Sequence, residues 1–321
     1  MRVLLTGASG YIGSILARRL AMTHDVLTLD IGWFGGRADL KRDIREIAPE
    51  GDLLPEGEPG CEAVIHLAAV ANDPCGELDA RLTWETNVLG TMNLLAWAAR
   101  SGVRQFIYAS SASVYGLRPE DVELTETDAL APVSDYNKTK QCAERVCLSY
   151  SEQMSVQIVR AATVCGFSPR MRLDTIVNML TYQALSAGEI MVHQGPNGKA
   201  LMRPNIHIED LSELYIHLLE HPGFTGIFNA GFENLSILQT ARLIQERIRS
   251  KINFTEVPAT RSYRIGSGKI LLTGFTPEHT VERAIGELHE KWRSGELVRT
   301  PMSSNLQWMK ANGWAACGET R

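Results

Sequence analysis

The chain has 321 residues, 44% of them hydrophobic, with 32 Lys and Arg against 37 Asp and Glu and a net charge of −5. That is apolar material for one large or two modest domains, and the acidic balance without a basic run argues against a nucleic-acid partner. No apolar stretch reaches the roughly 18 residues of a membrane span, no charged leader precedes the first strand, and six cysteines without Cys-x-x-Cys spacing predict reduced thiols in a cytoplasmic protein, with no metal expected.

The first eleven residues of interest run Val3-Leu4-Leu5-Thr6-Gly7-Ala8-Ser9-Gly10-Tyr11-Ile12-Gly13. An apolar β-type run enters a turn with glycines at 7, 10 and 13, and Ile12, Ile15, Leu16 and Leu20 leave it at helical spacing. Such a turn lets backbone N–H groups approach a pyrophosphate at the positive end of the new helix. A second apolar run, Val26–Leu29, ends at Asp30, whose carboxylate is placed to accept hydrogen bonds from an adenosine ribose. This pairing favours NAD over NADP. The plain alternative is a strand–turn–helix with structural glycines.

A glycine-punctuated loop with Trp33 and Phe34 follows, which either folds over the adenosine or seals the sheet edge. Asp43-Ile44 comes next, placed either to meet the adenine or as a solvated acid. Residues 49–60 read as a surface loop, 63–69 as a buried strand with small residues at its end, and Leu82 to Arg100 as a helix carrying Asn87, stopped by Gly102. Strand 105–109 runs into Ser110-Ser111-Ala112-Ser113-Val114-Tyr115-Gly116, and a proline-containing loop covers 117–134. A long helix opens at Ser134 or Asp135 as N-cap and reaches about Ser151, and Val156–Arg160 is a further strand. The strand–helix alternation predicts an α/β fold with a doubly wound parallel sheet.

After Gly166 come a basic loop (Arg170, Arg172), a helix from about Asp174 to Ala187, a turn at 195–198, a helix ending near Glu220, a strand at 226–230, and helices at 236–250 and 277–293. A tail with Trp308 and Trp314 is expected to dock on the surface. The expected layout is a dinucleotide domain of residues 1–167 plus 206–231 and a substrate cap of 168–205 plus 232–321.

Tyr136 and Lys140 stand four apart on one predicted helix and share a face. An ammonium near a phenol lowers the phenol's pKa towards the operating pH, and Ser111 at the preceding strand end is placed to bond the same oxygen. A Tyr/Lys pair alone on a helix is usually a solvated face. Joined to a nucleotide fingerprint and a serine-rich strand end, it reads as a catalytic group.

These motifs together (the glycines at 7–13, Asp30, Asp43-Ile44, His66-Leu67-Ala68-Ala69, Asn87, Ser110 to Gly116 and Tyr136-x-x-x-Lys140) resemble an extended short-chain dehydrogenase/reductase. The branch is that of the NAD-dependent nucleotide-sugar epimerases and dehydratases. The resemblance implies a Rossmann-type sheet of about seven strands, a bound NAD, a smaller C-terminal cap that grips an NDP-sugar, and a homodimer built on the helices near 82–100 and 136–151. Carried over by position, Tyr136 is the general base, Lys140 tunes it and holds the nicotinamide ribose, and Ser111 steadies the reacting oxygen. Gly7, Gly10, Tyr11, Ile12, Gly13, Asp30, Asp43, Ile44, Leu67, Ala68, Ala69, Asn87 and Ala162 would line the cofactor. Arg203 and, more weakly, Arg261 match arginines on the substrate diphosphate, Arg170, Arg172 and Asn178 fall where the cap meets the nucleotide, and Thr163 stands at a position that touches the substrate in many 4-epimerases. Ser168 to Asp174 resembles enzymes of bacterial surface sugars, heptose C4 dehydrogenases among them.

Two departures narrow the activity. Dehydratases of the family carry an Asp-Glu pair after the residue matching Ser111, and this chain has Ala112 and Ser113 there. Thr163 replaces the asparagine of many 4-epimerases, which puts the familiar UDP-galactose activity in doubt. The expected function is an NAD-dependent NDP-sugar 4-epimerase working through a 4-keto intermediate. The alternatives are an NDP-hexose or NDP-heptose C4 dehydrogenase/reductase, then a 4,6-dehydratase, then a non-catalytic dinucleotide-binding protein. Cys75 and Cys165 are read as buried, inert thiols.

Overall fold

The structure, a computed structural model, describes residues 1–118, 122–258 and 262–313. Its centre is a seven-stranded parallel sheet of β1 (Arg2–Thr6), β2 (Asp25–Asp30), β3 (Leu40–Lys41), β4 (Ala63–His66), β5 (Gln105–Ser111), β6 (Ser155–Ala161) and β7 (Gly226–Ala230). The order across the sheet is β7-β6-β5-β4-β1-β2-β3, so the strand order reverses at β1, between β2 and β4. In sheets of this kind the crevice at the carboxyl ends beside that reversal takes the ligand.

Helices cover both faces, which is why the inner strands read as unbroken apolar runs rather than as alternation. Val3 and Leu5 belong to one buried cluster with Leu16, Ile107 and Leu214, and Leu4 belongs to the other with Val64, Leu94, Trp97 and Phe106. Each such buried side chain contributes about 1.5–3 kcal/mol relative to exposure. The longer helices are α1 (Gly13–Leu20), α2 (Gly90–Arg100), α3 (Asp135–Leu148), α4 (Ile176–Ala187), α5 (Ile208–Glu220), α6 (Ile237–Arg247), α7 (Val281–Arg293) and α8 (Asn305–Ala311). None is long and apolar enough to cross a membrane, among the described residues.

Several boundaries move from their sequence expectation. The helix expected from Leu82 starts at Ala80 and widens into a π turn over Glu85–Leu89 before α2 continues to Arg100. Ser134 is the N-cap of α3, accepting the Asn137 N–H, and the helix ends at Leu148 rather than Ser151. Short strands at Glu189–Gln194, Met202–His207, Glu233–Ser236 and Lys251–Glu256 were not expected. Ile190 and Val192 point inward there, alternating with exposed Glu189, Met191 and His193, a period of two that the sequence does carry.

A third cluster joins α4, α6 and α7 through Leu180, Ala184, Ile244, Ala284 and Ile285, with Ile190 and Val192 from the strand. Tyr263, Ile265, Ile270 and Phe275, from the second segment expected in the cap, pack instead in the cluster of the main sheet. The C-terminal α8 docks through Met309 beside Val70, Cys75 and Leu82, and the Trp308 indole N–H donates to the Trp33 carbonyl at 2.7 Å. Trp314 lies outside the described residues.

Candidate active site

The turn after β1 must pass very close to the end of β4. A Cβ on Gly7 would stand 2.7 Å from the Ala68 nitrogen, and Gly7 has φ +71°. Only glycine satisfies both demands. The far side of this contact is held by His66, buried, with Nδ1 2.7 Å from Thr6 Oγ1 and Nε2 3.0 Å from Thr91 Oγ1. Burial, aided by the charge of Lys140, pulls the His66 pKa down to about 3, so the ring is a neutral structural bridge. Gly13 then begins α1, leaving the helix's first N–H groups at a cavity.

That first cavity is lined by Gly7, Gly10, Tyr11, Ile12 and Gly13, by Asp30, Asp43 and Ile44, and by Leu67, Ala68 and Ala69. Eleven positions expected to hold a cofactor thus meet around one space. The Asp30 carboxylate accepts N–H bonds from Ser9 at 3.0 Å and Gly32 at 2.7 Å, while burial pushes its pKa upward against those bonds. Asp43 also lines the wall, but both its oxygens are engaged by Arg45, so it is neither free nor simply solvated. Trp33 and Phe34 lie on the cavity wall. Glycine cradle, helix N-terminus and ribose-height carboxylate together fit a dinucleotide.

Asn87 is a correction. It is buried away from this cavity, giving Nδ2 to the Val70 carbonyl and Thr139 Oγ1 and accepting the Val70 N–H, so it ties the loop after β4 to α3. Its neighbour Thr86 lines the space instead. No signal in the sequence distinguishes them, because the π turn decides which side chain faces inward.

A second cavity opens beside the first at Tyr11, Ile12, Ala71 and Arg172, which border both. Ser111, Ser113 and Tyr136 line it at the carboxyl end of β5, with Ala162, Thr163, Arg172 and Arg203 around them. Ser111 and Ser113 hydroxyls are 2.8 Å apart. Lys140 lies behind this wall, 6.0 Å from the Tyr136 ring centroid, donating to the Ala109 carbonyl at 2.8 Å. Burial pulls the Lys140 pKa down to about 8, with Cys147 and Glu144 resisting. A network under the helix holds this arrangement: Arg160 on β6 grips Glu144 on α3 through two bonds of 2.9 and 2.7 Å, and Ser110 donates to the same carboxylate.

Asn178 is the second correction. It is fully buried, donating to the Tyr11 hydroxyl and the Arg172 carbonyl and accepting the Gly166 N–H, so it braces the segment 166–172 against Tyr11 and is not among the lining residues of either cavity. Arg261 lies outside the described residues. Cys75 and Cys165 are buried and protonated, burial pushing Cys75 up to about 12. Asp73, from a short turn that offered no motif, also lines the second cavity and accepts the Ser134 hydroxyl at 2.5 Å.

The family described as NAD dependent epimerase/dehydratase matches residues 3–231. Among curated relatives, UDP-glucuronic acid decarboxylase 1 of Xenopus tropicalis is 28% identical over 307 residues, 89% of this chain and 70% of the relative. UDP-glucose 4-epimerase of Corynebacterium glutamicum is 28% identical over 317 residues, 89% and 94%. Among solved structures, UDP-glucose 4-epimerase of Thermus thermophilus in complex with NAD has a TM-score of 0.78 at 24% identity, over 89% of this chain and 98% of that one, a likeness of fold. The chain therefore belongs to the NAD-dependent epimerase/dehydratase family and is an NAD-dependent enzyme of the extended short-chain dehydrogenase/reductase type.

Proposed function

We propose that the protein is an NDP-sugar 4-epimerase. The observation that carries this reading is the grouping of Ser111, Ser113 and Tyr136 around one cavity, which opens onto the glycine-lined one. NAD, held by the glycine turn and its neighbours, would supply the hydride chemistry at C4 of the sugar. Tyr136 takes the proton of the C4 hydroxyl as the C–H bond breaks, and gives it back when the carbonyl is reduced. Lys140, buried and charged, favours the phenolate, and Ser111 donates to the reacting oxygen. Arg203 offers a bidentate fork to the substrate diphosphate. Between the two hydride steps the 4-keto sugar turns over, presenting its other face.

Dehydration is disfavoured because the two residues after Ser111 are a buried alanine and a hydroxyl, not an acid and a base. A net C4 dehydrogenase shares the first half-reaction and differs in where the hydride ends. The deciding experiment follows absorbance at 340 nm of NAD-loaded protein with a panel of NDP-hexoses and NDP-heptoses, products identified by NMR. A new epimer without lasting absorbance is expected; a lasting rise with a 4-keto product sinks the epimerase reading in favour of the dehydrogenase.

The active form on this reading is a homodimer. Trp84, Leu89 and Met92 before and on α2, and Leu148 at the end of α3, are exposed apolar side chains that pairing of these helices would cover. A monomer by light scattering at micromolar concentration removes that part.

A further inference from the structure

The first cavity has walls from the N-terminal segment, but one side comes from far along the chain: Arg170, Arg172 and Asn305. These three are wired together. Arg172 Nε donates to Asp174 at 2.8 Å, the other Asp174 oxygen accepts the Asn305 N–H at 2.8 Å, and the Asn305 side-chain oxygen accepts from Arg170 at 2.6 Å. Arg170 also lies 4.1 Å from the Phe34 ring centroid, and its Nε is buried without a hydrogen-bond partner. Two guanidinium groups thus share a largely dry corner: Arg172 is paired with Asp174, while Arg170 lies against Arg172 and, among the described residues, is bonded to Asn305 rather than to a carboxylate. Burial and repulsion from Arg172 pull the Arg170 pKa down to about 10. A corner of this kind calls for an anion.

Its position says which anion. A dinucleotide with its adenosine at Asp30 and its nicotinamide near Tyr136 must cross from the first cavity to the second at Tyr11, Ile12, Ala71 and Arg172. The middle of a dinucleotide is its pyrophosphate. Resting on the assignment of NAD to the first cavity, we infer that Arg172, backed by Arg170, is the countercharge of the cofactor pyrophosphate, and that α8 holds both arginines in place through Asn305. The resemblance alone had assigned Arg172 to the substrate. The division of labour is then Arg172 for the cofactor diphosphate and Arg203, which borders only the second of these two cavities, for that of the substrate. Asn305 is a positioning residue.

The test is calorimetric titration of the full chain, stripped of cofactor, with NAD, ADP-ribose and adenosine. Arg172→Gln is expected to weaken NAD and ADP-ribose by about 10- to 100-fold, the effect of one lost charged hydrogen bond. Adenosine, which lacks the pyrophosphate, should bind within about twofold of wild type. Asn305→Ala should weaken NAD by about 2- to 10-fold, and Arg203→Gln should leave it unchanged. Equal NAD affinity in wild type and Arg172→Gln overturns the inference, as does a parallel loss of adenosine, which marks a collapsed pocket, or an equal loss in Arg203→Gln. Wild-type protein that binds none of the three probes overturns the cofactor assignment itself, and this inference with it.

Discussion

All but three residues in the wall of the first cavity come from residues 7–86, whereas the second cavity gathers residues from Tyr11 to Tyr263. The first is built by consecutive turns at the carboxyl ends of β1, β2 and β4, three neighbouring strands. The second needs the end of β5, the start of α3, the segment after β6, the cap helix α4 and the strand Met202–His207 to converge. A local turn forms from local conformational rules, while a converging site inherits its geometry from packing. The cofactor side is therefore robust to changes in the cap, and the substrate side is sensitive to changes in the network that seats α3.

The largest effect should separate the two cavities outright. Tyr136→Phe is expected to lower turnover by about 10²- to 10⁴-fold, the span of a lost general base, with NAD affinity kept within a small factor. Loss of NAD binding in that variant would mean the two cavities are not functionally distinct. Next comes the support beneath the catalytic helix. Arg160→Met leaves Glu144 buried without its partner and should cost about 3–5 kcal/mol of unfolding free energy. The double change Arg160→Met with Glu144→Leu should recover most of it. Denaturant melts check both, and a double variant no better than the single one would refute the pairing as the cause.

On the cofactor side, Asp30→Ala should weaken NAD by about 1.5–3 kcal/mol, one charged ribose contact. The structure adds a condition: Ser9 and Gly32 lose their acceptor in the same variant, so Asp30→Asn, which keeps an oxygen, should lose less. Unchanged NAD affinity in both variants would displace the ribose from Asp30. The last effect is gradual, spread over several pH units, and sits at the seam between β1 and β4, where His66 bridges Thr6 and Thr91. The folded pKa of His66 lies below its ordinary value of 6.5, so its contribution to stability is complete above pH 6.5 and declines as pH falls towards 3. Unfolding free energy should drop by up to about 1.4 kcal/mol per pH unit in that window from this group. His66→Leu should flatten the slope, and an unaltered slope would assign the acid sensitivity elsewhere.

The legibility of the site follows the same division. Glycine spacing, the carboxylate at the end of the second strand and the small residues after His66 each have a local physical meaning, and all of them line one cavity. Tyr136 and Lys140 share their helix face as i and i+4, although Lys140 turns out to be fully behind the wall, bonded to Ala109. Asn87 and Asn178 failed for one reason. A buried asparagine in a helix looks identical in sequence whether it faces a ligand or braces a neighbouring segment, and here a π turn and the Tyr11 hydroxyl made the choice.

By itself the sequence determined the sheet, the glycine turn, the acid at the end of the second strand and the phenol–ammonium pair, because periodicity, backbone freedom and i,i+4 spacing are properties of short segments. Only the tertiary structure decided that Arg170, Arg172 and Asn305 close the cofactor cavity, that residues 263–275 pack with the main sheet, and that Trp33 meets Trp308. These partners lie from about thirty to more than two hundred residues apart, and the enthalpy and burial that join them exist only once the chain has closed on itself.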